Sequence, residues 1–392
     1  MIYLPREEII NIRLLESIFT NMVNSYKIYW FSSIFEEVIK GENRIPFKNI
    51  VAGMISNSWY TLLTYHLNFG VKDQLESVVS EINKKYIKDK SIKKDDLYVE
   101  LVNSENEELN KLIATFYVYV PYRLLTPFYE NKIKGIRDGA RNRAIEQLTI
   151  NDSKVLYKIS SKEKTIEIND IWFKYLNDNR NIIRGWIKYK TIEFLQLRNP
   201  NIPAIIYKLE PQLERNLSDA KKYWNEVIKW VTISDIYTKR EFTKENFNEV
   251  GPLSIDHFIP WSFVGHDKMW NLIPTFGKIN SSKSNNLPEL NSYLSEFCEL
   301  QFKGIDFMKK SLTGSKYLED YLGINPEIKI NDLKSVNGDF NKDMFIRDLT
   351  NTINPLYQIA YNQGFNEWSN DKYIIRNKEI DLDEITDKVH KI

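Results

Sequence analysis

Residues 254–288 read S-I-D-H-F-I-P-W-S-F-V-G-H-D-K-M-W-N-L-I-P-T-F-G-K-I-N-S-S-K-S-N-N-L-P. The stretch holds two of only four histidines in the chain, with a carboxylate, Asp256, directly before His257. Asn271 and Asn280 follow, and Lys283 lies just beyond. Asp256 and Asn280 offer hard oxygen donors of the kind that suit Mg²⁺, an ion that keeps several waters and is held by few protein groups. His257 is the nearby side chain whose ordinary pKa suits a base near neutral pH. Such a set matches what cutting a phosphodiester requires: an activated water, a base for its proton, and positive charge on the phosphate. Neighbouring residues on a strand point to opposite faces. Asp256 and His257 therefore serve one site only where the strand ends, and Pro260 marks such an end.

The pattern predicts a strand over Leu253–His257, a loop over Trp261–Met269, a second strand over Trp270–Thr275 and a helix starting near Asn280. The runs I-D-H-x-x-P-x-S-F and N-x-x-K-S-x-N resemble the HNH (His-Me finger, ββα-metal) endonuclease motif, over less than a tenth of the chain. Either half alone is weak, since D-H pairs are common; the joint spacing carries the resemblance. It implies a two-stranded ribbon whose following helix carries the last metal ligand. By this resemblance Asp256 and Asn280 bind Mg²⁺ (or Mn²⁺), His257 is the catalytic base, and Asn271 is structural, bridging the loop backbone so that the histidine is aimed. Lys283 faces the substrate in the nearest relatives and is expected, with Lys278, to contact nucleic acid. The function implied is metal-dependent hydrolysis of DNA, in a setting of bacterial restriction or anti-phage defence. Two other classes stay open: an RNA-cleaving nuclease or toxin, and a non-catalytic sensor or assembly subunit, against which every catalytic position being intact argues. His266-Asp267 forms a second polar pair. It reads as loop polarity, because no ligand follows it at matching spacing; His266 touching DNA is the lesser reading.

At 392 residues with 42% hydrophobic content, the chain has material for two or three domains with real cores. No apolar run reaches the length of a membrane span, and the first residues lack the layout of a signal peptide. The single cysteine, Cys298, rules out an intrachain disulfide and a cysteine-cluster zinc site. Some relatives carry paired cysteines before the motif; here that region reads D-I-Y-T-K-R-E-F-T-K-E-N-F, so the finger has to be held by packing. A reducing cytoplasm is the expected compartment. Lys plus Arg number 54 against 53 acidic residues, a net charge of +1, so affinity for DNA cannot come from a general positive field.

The expected fold class is mainly α with an embedded ββα-metal finger and a small β-hairpin region, α+β overall. The expected division is a helical N-terminal domain for recognition or partner binding (1–150), a β-hairpin plus helix (151–211), the nuclease domain (212–300) and a helical C-terminal region (301–392). Ile12, Leu15, Phe19, Met22 and Tyr26 recur at helical spacing. Further helices are predicted at Phe47–Leu67, Lys72–Tyr86 and Glu105–Tyr119, the last with Ser104 as cap. Lys132, Lys134, Arg137, Arg141 and Arg143 cluster around Gly135 and Gly139. They read equally as backbone-phosphate contacts or as a plain exposed face. Val155–Ser160 and Thr165–Ile168 read as a hairpin, Arg180–Leu197 as a helix, and N-P-N-I-P as a turn. Ser218 is placed to cap Asp219–Trp230, whose Tyr223, Val227 and Trp230 would brace the finger. Leu290–Phe307 and Met344–Gly364 read as helices, 314–338 as looser, and the tail from Arg376 as a frayed helix or partner-binding segment. With no Walker A loop, helicase motif or methyltransferase signature, any ATPase or sensor function would have to come from a partner protein.

Overall fold

Helix 47–63 is apolar around nearly its whole circumference, and 14 of its residues are buried. A helix without a polar face belongs in a core, and this one runs through the centre of the first of two compact units, residues 1–212 and 213–392. The computed structural model describes residues 4–20, 22–211, 215–310, 315–324 and 341–370; the tail from Arg376 and most of 314–338 lie outside them. Among the described residues no helix is long and apolar enough to cross a membrane. The protein is mainly helical, with small sheets of two and three strands.

In the first unit, helix 47–63 packs on helix 26–39, whose Trp30, Phe31 and Ile34 are wholly buried. The periodic run from Ile12 to Tyr26 is not one helix. It divides into Ile12–Ser17 and Tyr26–Ile39, because Asn11 caps only a short first helix and the chain turns before Ser25. Asn106, not Ser104, caps the helix that follows, taking a bond from Leu109 N at 3.0 Å, and this helix ends at Ala114. Helix 94–103 was not foreseen; its pattern is broken by charge at both ends of Leu97–Leu101. The hairpin pairs β2 (Tyr157–Ser160) with β3 (Thr165–Ile168), and β1 (Arg44–Pro46) adds antiparallel to the other edge of β3. The basic stretch breaks at Gly135, whose φ of +82° ends helix 126–133 before helix 138–150 begins.

The second unit is built around the ribbon of β4 (Leu253–His257) and β5 (Leu272–Phe276), paired antiparallel with Ile255 opposite Pro274 and His257 opposite Leu272. Every residue of β5 is buried, so the ribbon is covered on both faces. Helix 218–230 lies against it and donates from Trp224 Nε1 to Leu272 O at 3.0 Å. Ser218 is the first residue of that helix rather than its cap. Trp224 takes the bracing role expected of Trp230, which is 64% exposed. From helix 290–309, Gln301 Nε2 donates to Leu272 O (2.8 Å) and Met269 O (3.2 Å), and Phe297 stacks on Phe258 with ring centroids 4.0 Å apart. The segment that bears cysteines in some relatives is closed instead by Asp235. Its carboxylate accepts from Thr238 N and Oγ1 at 2.8 and 2.7 Å.

Helix 290–309 approaches helix 218–230 at Gly304, where a Cβ would come within 2.9 Å of both Trp224 Cη2 and the Tyr223 hydroxyl. Both rings are wholly buried. Gly304→Ala is therefore expected to cost about 1–3 kcal/mol by overpacking. A melting curve superimposable on the parent's would show that the interface relaxes freely.

Candidate active site

Four elements converge on the candidate site. His257 is the last residue of β4, and the chain leaves the ribbon through Phe258 and Ile259 to Pro260. Asn271 fixes this exit. Its Oδ1 accepts from Ile259 N at 2.9 Å, its Nδ2 donates to Ile259 O at 2.8 Å, and its own carbonyl accepts from Phe258 N. With no exposed surface, Asn271 spends its whole amide on the backbone of the residues after His257. The second strand begins two residues later than the pattern suggested, since Met269–Asn271 forms a 3₁₀ turn. The helix begins three residues earlier, at Gly277, which puts Asn280 in its middle.

His257 is buried and bonded at both ring nitrogens. Nε2 lies 2.7 Å from Asp267 Oδ1, and Nδ1 lies 3.4 Å from Arg215 Nη1. A carboxylate oxygen accepts, so the Nε2 position carries the proton and Nδ1 presents a lone pair. Burial lowers the pKa of the imidazole below 6.5; the bond to Asp267 opposes this and the Arg215 charge adds to it. The ring is therefore neutral near pH 7 with its basic atom specified. Arg215 is itself exposed, with its guanidinium 5.5 Å from the Trp261 ring centroid.

Asp256, 3% exposed, has both carboxylate oxygens engaged. Tyr237 OH donates to Oδ2 at 2.7 Å, and Lys283 Nζ donates to Oδ1 at 2.9 Å and to His257 O at 2.7 Å. Lys283 departs from expectation here. Instead of reaching out to phosphate it has no exposed surface, because the short helix 277–283 ends with this side chain turned under β4. Burial lowers its pKa, and the Asp256 charge opposes that shift. Lys278 is exposed and donates to Glu249 O at 2.8 Å. Arg137, Arg141 and Arg143 belong to the first unit, on and beside helix 138–150.

Asn280 Nδ2 donates to Ser254 Oγ at 2.7 Å and Ile255 O at 3.2 Å. Both amide protons are thus directed at β4, and Oδ1 is left as the accepting end. The set fits a small hard cation: Asn280 Oδ1, plus a second lone pair on each Asp256 oxygen. Among the described residues no cluster of three or more His, Cys, Asp or Glu side chains could hold a metal. Cys298 is buried, its thiol pushed up to about 11.

Asp267, Tyr237 and Arg215 are the partners that sequence reading missed. Asp267 stood in view, ten residues after His257, but only the return of the loop to β5 shows what it touches. Its neighbour His266 sits against the edge of Trp270, and burial pushes its pKa down to about 4. Residues 235–289 match the family model of the HNH endonucleases, so this part of the chain is a nuclease domain of a type that uses a divalent metal ion and acts on nucleic acid. Neither the curated proteins nor the solved structures contain a match to the chain.

Proposed function

We propose that the domain hydrolyses phosphodiester bonds in DNA, with His257 as general base and Asp256 and Asn280 as the metal ligands. The observation that carries this reading is the 2.7 Å contact of His257 Nε2 with Asp267 Oδ1: a carboxylate accepts, so the proton sits on Nε2 and Nδ1 is the atom left to take the proton of the attacking water. Asp267 then faces the imidazolium that forms and offsets its charge. Arg215 covers Nδ1 in this state, and its side chain has to give way before a water can bond there. A bound Mg²⁺ or Mn²⁺ supplies positive charge at the phosphate and at the departing 3′ oxygen. Tyr237 and Lys283 each hold one oxygen of the Asp256 carboxylate and so fix its orientation. This chemistry makes no use of a 2′-hydroxyl, so DNA can serve as its substrate. The setting such a domain suits is bacterial restriction or anti-phage defence, for which the neighbouring genes are the test.

Activity is expected to need Mg²⁺ or Mn²⁺ and to vanish in EDTA, while folding needs no zinc. Stoichiometric zinc in elemental analysis of the purified protein would contradict the assignment. A base works in its deprotonated form, and the pKa of His257 lies below 6.5. So kcat/KM should rise with pH through a value below 6.5 and be flat above pH 7. Asp267→Asn removes the ionised acceptor that raises this pKa. The acid limb then moves to still lower pH, and kcat falls about 10- to 100-fold, a part of the roughly 10²–10⁴ that a positioned general base contributes. An unchanged profile would leave Asp267 without a part in the reaction.

A further inference from the structure

The first unit carries an open cavity of about 360 Å³ whose walls include Met22, Val23, Tyr119 and Val120, with Lys27 and Arg123 among its lining residues. Its rim is apolar and exposed to solvent: Val23 is 63% exposed, Tyr119 56%, and the adjacent Val118 54%. Tyr119 and Val23 in the lining, with Val118 beside Tyr119, form an apolar platform that the described residues of the unit leave exposed.

The two charged side chains that line the cavity, Lys27 and Arg123, are both cations, and Asp138 pairs with Arg123. Lys27 makes no ion pair among the described residues; burial lowers its pKa, and the Arg123 charge adds to that. With Arg123 paired to Asp138, Lys27 is the lining cation left without a counter-ion among the described residues, and an incoming anion beside it is favoured. The Arg123 guanidinium sits 5.8 Å from the Tyr119 ring centroid and donates to Asp138 Oδ1 at 2.8 Å. Asp138 opens helix 138–150, and Asn142 of that helix donates to Val118 O at 2.7 Å. The cavity wall is thereby tied to helix 138–150, which bears Arg141 and Arg143 and has Arg137 just before its first residue; Arg137 and Arg143 are exposed.

We propose that this cavity takes one unpaired nucleotide of a DNA strand, its base against Tyr119 and its phosphate between Lys27 and Arg123, with the arginines of helix 138–150 on neighbouring phosphates. A base stacks on an aromatic ring only when it is out of the duplex, and stacking of this kind tolerates any sequence. The cavity's size suits one nucleotide and not a base pair. A near-neutral chain also needs a local positive patch to hold DNA. The occupant named here rests on the DNA reading of the nuclease domain.

The test is binding of the full chain in EDTA, where no cut is needed, to a labelled 20-nucleotide single strand and to the blunt duplex of the same sequence. Tyr119→Ala should weaken single-strand binding about tenfold, within the range for one lost stacking contact, and leave duplex binding unchanged. Lys27→Gln should lower the salt slope on the single strand by about 0.7. The triple variant Arg137→Gln, Arg141→Gln, Arg143→Gln should weaken both substrates. Tyr119 is exposed, so its removal leaves the fold intact, which melting curves verify. Parental binding by Tyr119→Ala, equal losses on strand and duplex, or no binding by the parent chain would overturn the proposal. So would free dTMP competing as well as the strand does. Tyr119-dependent binding of single-stranded RNA but not DNA would overturn the DNA occupant and the DNA reading together. Failure of cleavage with this binding intact would sink only the catalytic reading.

Discussion

His257→Ala is expected to lower the single-turnover cleavage rate by on the order of 10²–10⁴, the usual contribution of a general base, with folding and nucleic-acid binding nearly unchanged. No other imidazole is bonded to a carboxylate beside Asp256 among the described residues; His266, whose pKa burial pushes down to about 4, accepts at Nδ1 from Lys268 N. The truncation leaves Asp267 without its donor. That side chain is 33% exposed, so water replaces the imidazole at small cost. A loss of cleavage with an unchanged melting temperature is thus the expected pairing. Cleavage at the parental rate would remove His257 from the mechanism.

The largest effect on stability is expected at Lys283. Lys283 and Asp256 are 0% and 3% exposed, so neither charge is solvated once the other is gone. Breaking a buried pair from one side costs about 3–5 kcal/mol, because a bare charge stays inside. Lys283→Met keeps the volume and removes the ammonium, leaving Asp256 with Tyr237 alone. In EDTA this variant should melt far below the parent. Mg²⁺ or Mn²⁺ should raise its melting temperature more than the parent's, since a divalent cation at Asp256 replaces the missing charge and binding to the folded state stabilises it. A loss below about 1 kcal/mol, as for an exposed pair, would contradict the burial of this bridge. An equal metal-induced rise in both proteins would show that Lys283 and the metal do not share Asp256.

The legible parts of this protein are those whose signal is local. The strand ending at His257 has the bounds read from the sequence, because Pro252 and Pro260 flank the run L-S-I-D-H-F-I. The hairpin 157–168 was visible because two β-branched runs flank a polar turn. Helix 180–198 was likewise clear from its length and its stop at Asn199-Pro200. What was not legible depends on pairing at a distance. Asp267 looks like loop polarity until His257 pairs with Leu272 and the loop between them closes. Tyr237 lies 19 residues before its partner Asp256 with no spacing rule connecting them. The burial of Lys283 went unread because a lysine at a helix end is ordinarily solvated. Trp224 and Trp230 both lie on an amphipathic helix, and only the packing shows which of them meets the ribbon. β1 has three residues, too short for alternation to register.

The central claim is that His257, aimed by Asp267 beside Asp256 and Asn280, drives attack of water on a DNA phosphodiester. The most direct measurement is cleavage of end-labelled DNA in ¹⁸O-water with Mn²⁺, followed by mass analysis of the fragment ends. The account predicts one ¹⁸O in each new 5′-phosphate, a free 3′-hydroxyl opposite it, and no product in EDTA. Fragments that form only from RNA and end in 2′,3′-cyclic phosphate, or DNA products that persist in EDTA, would contradict it.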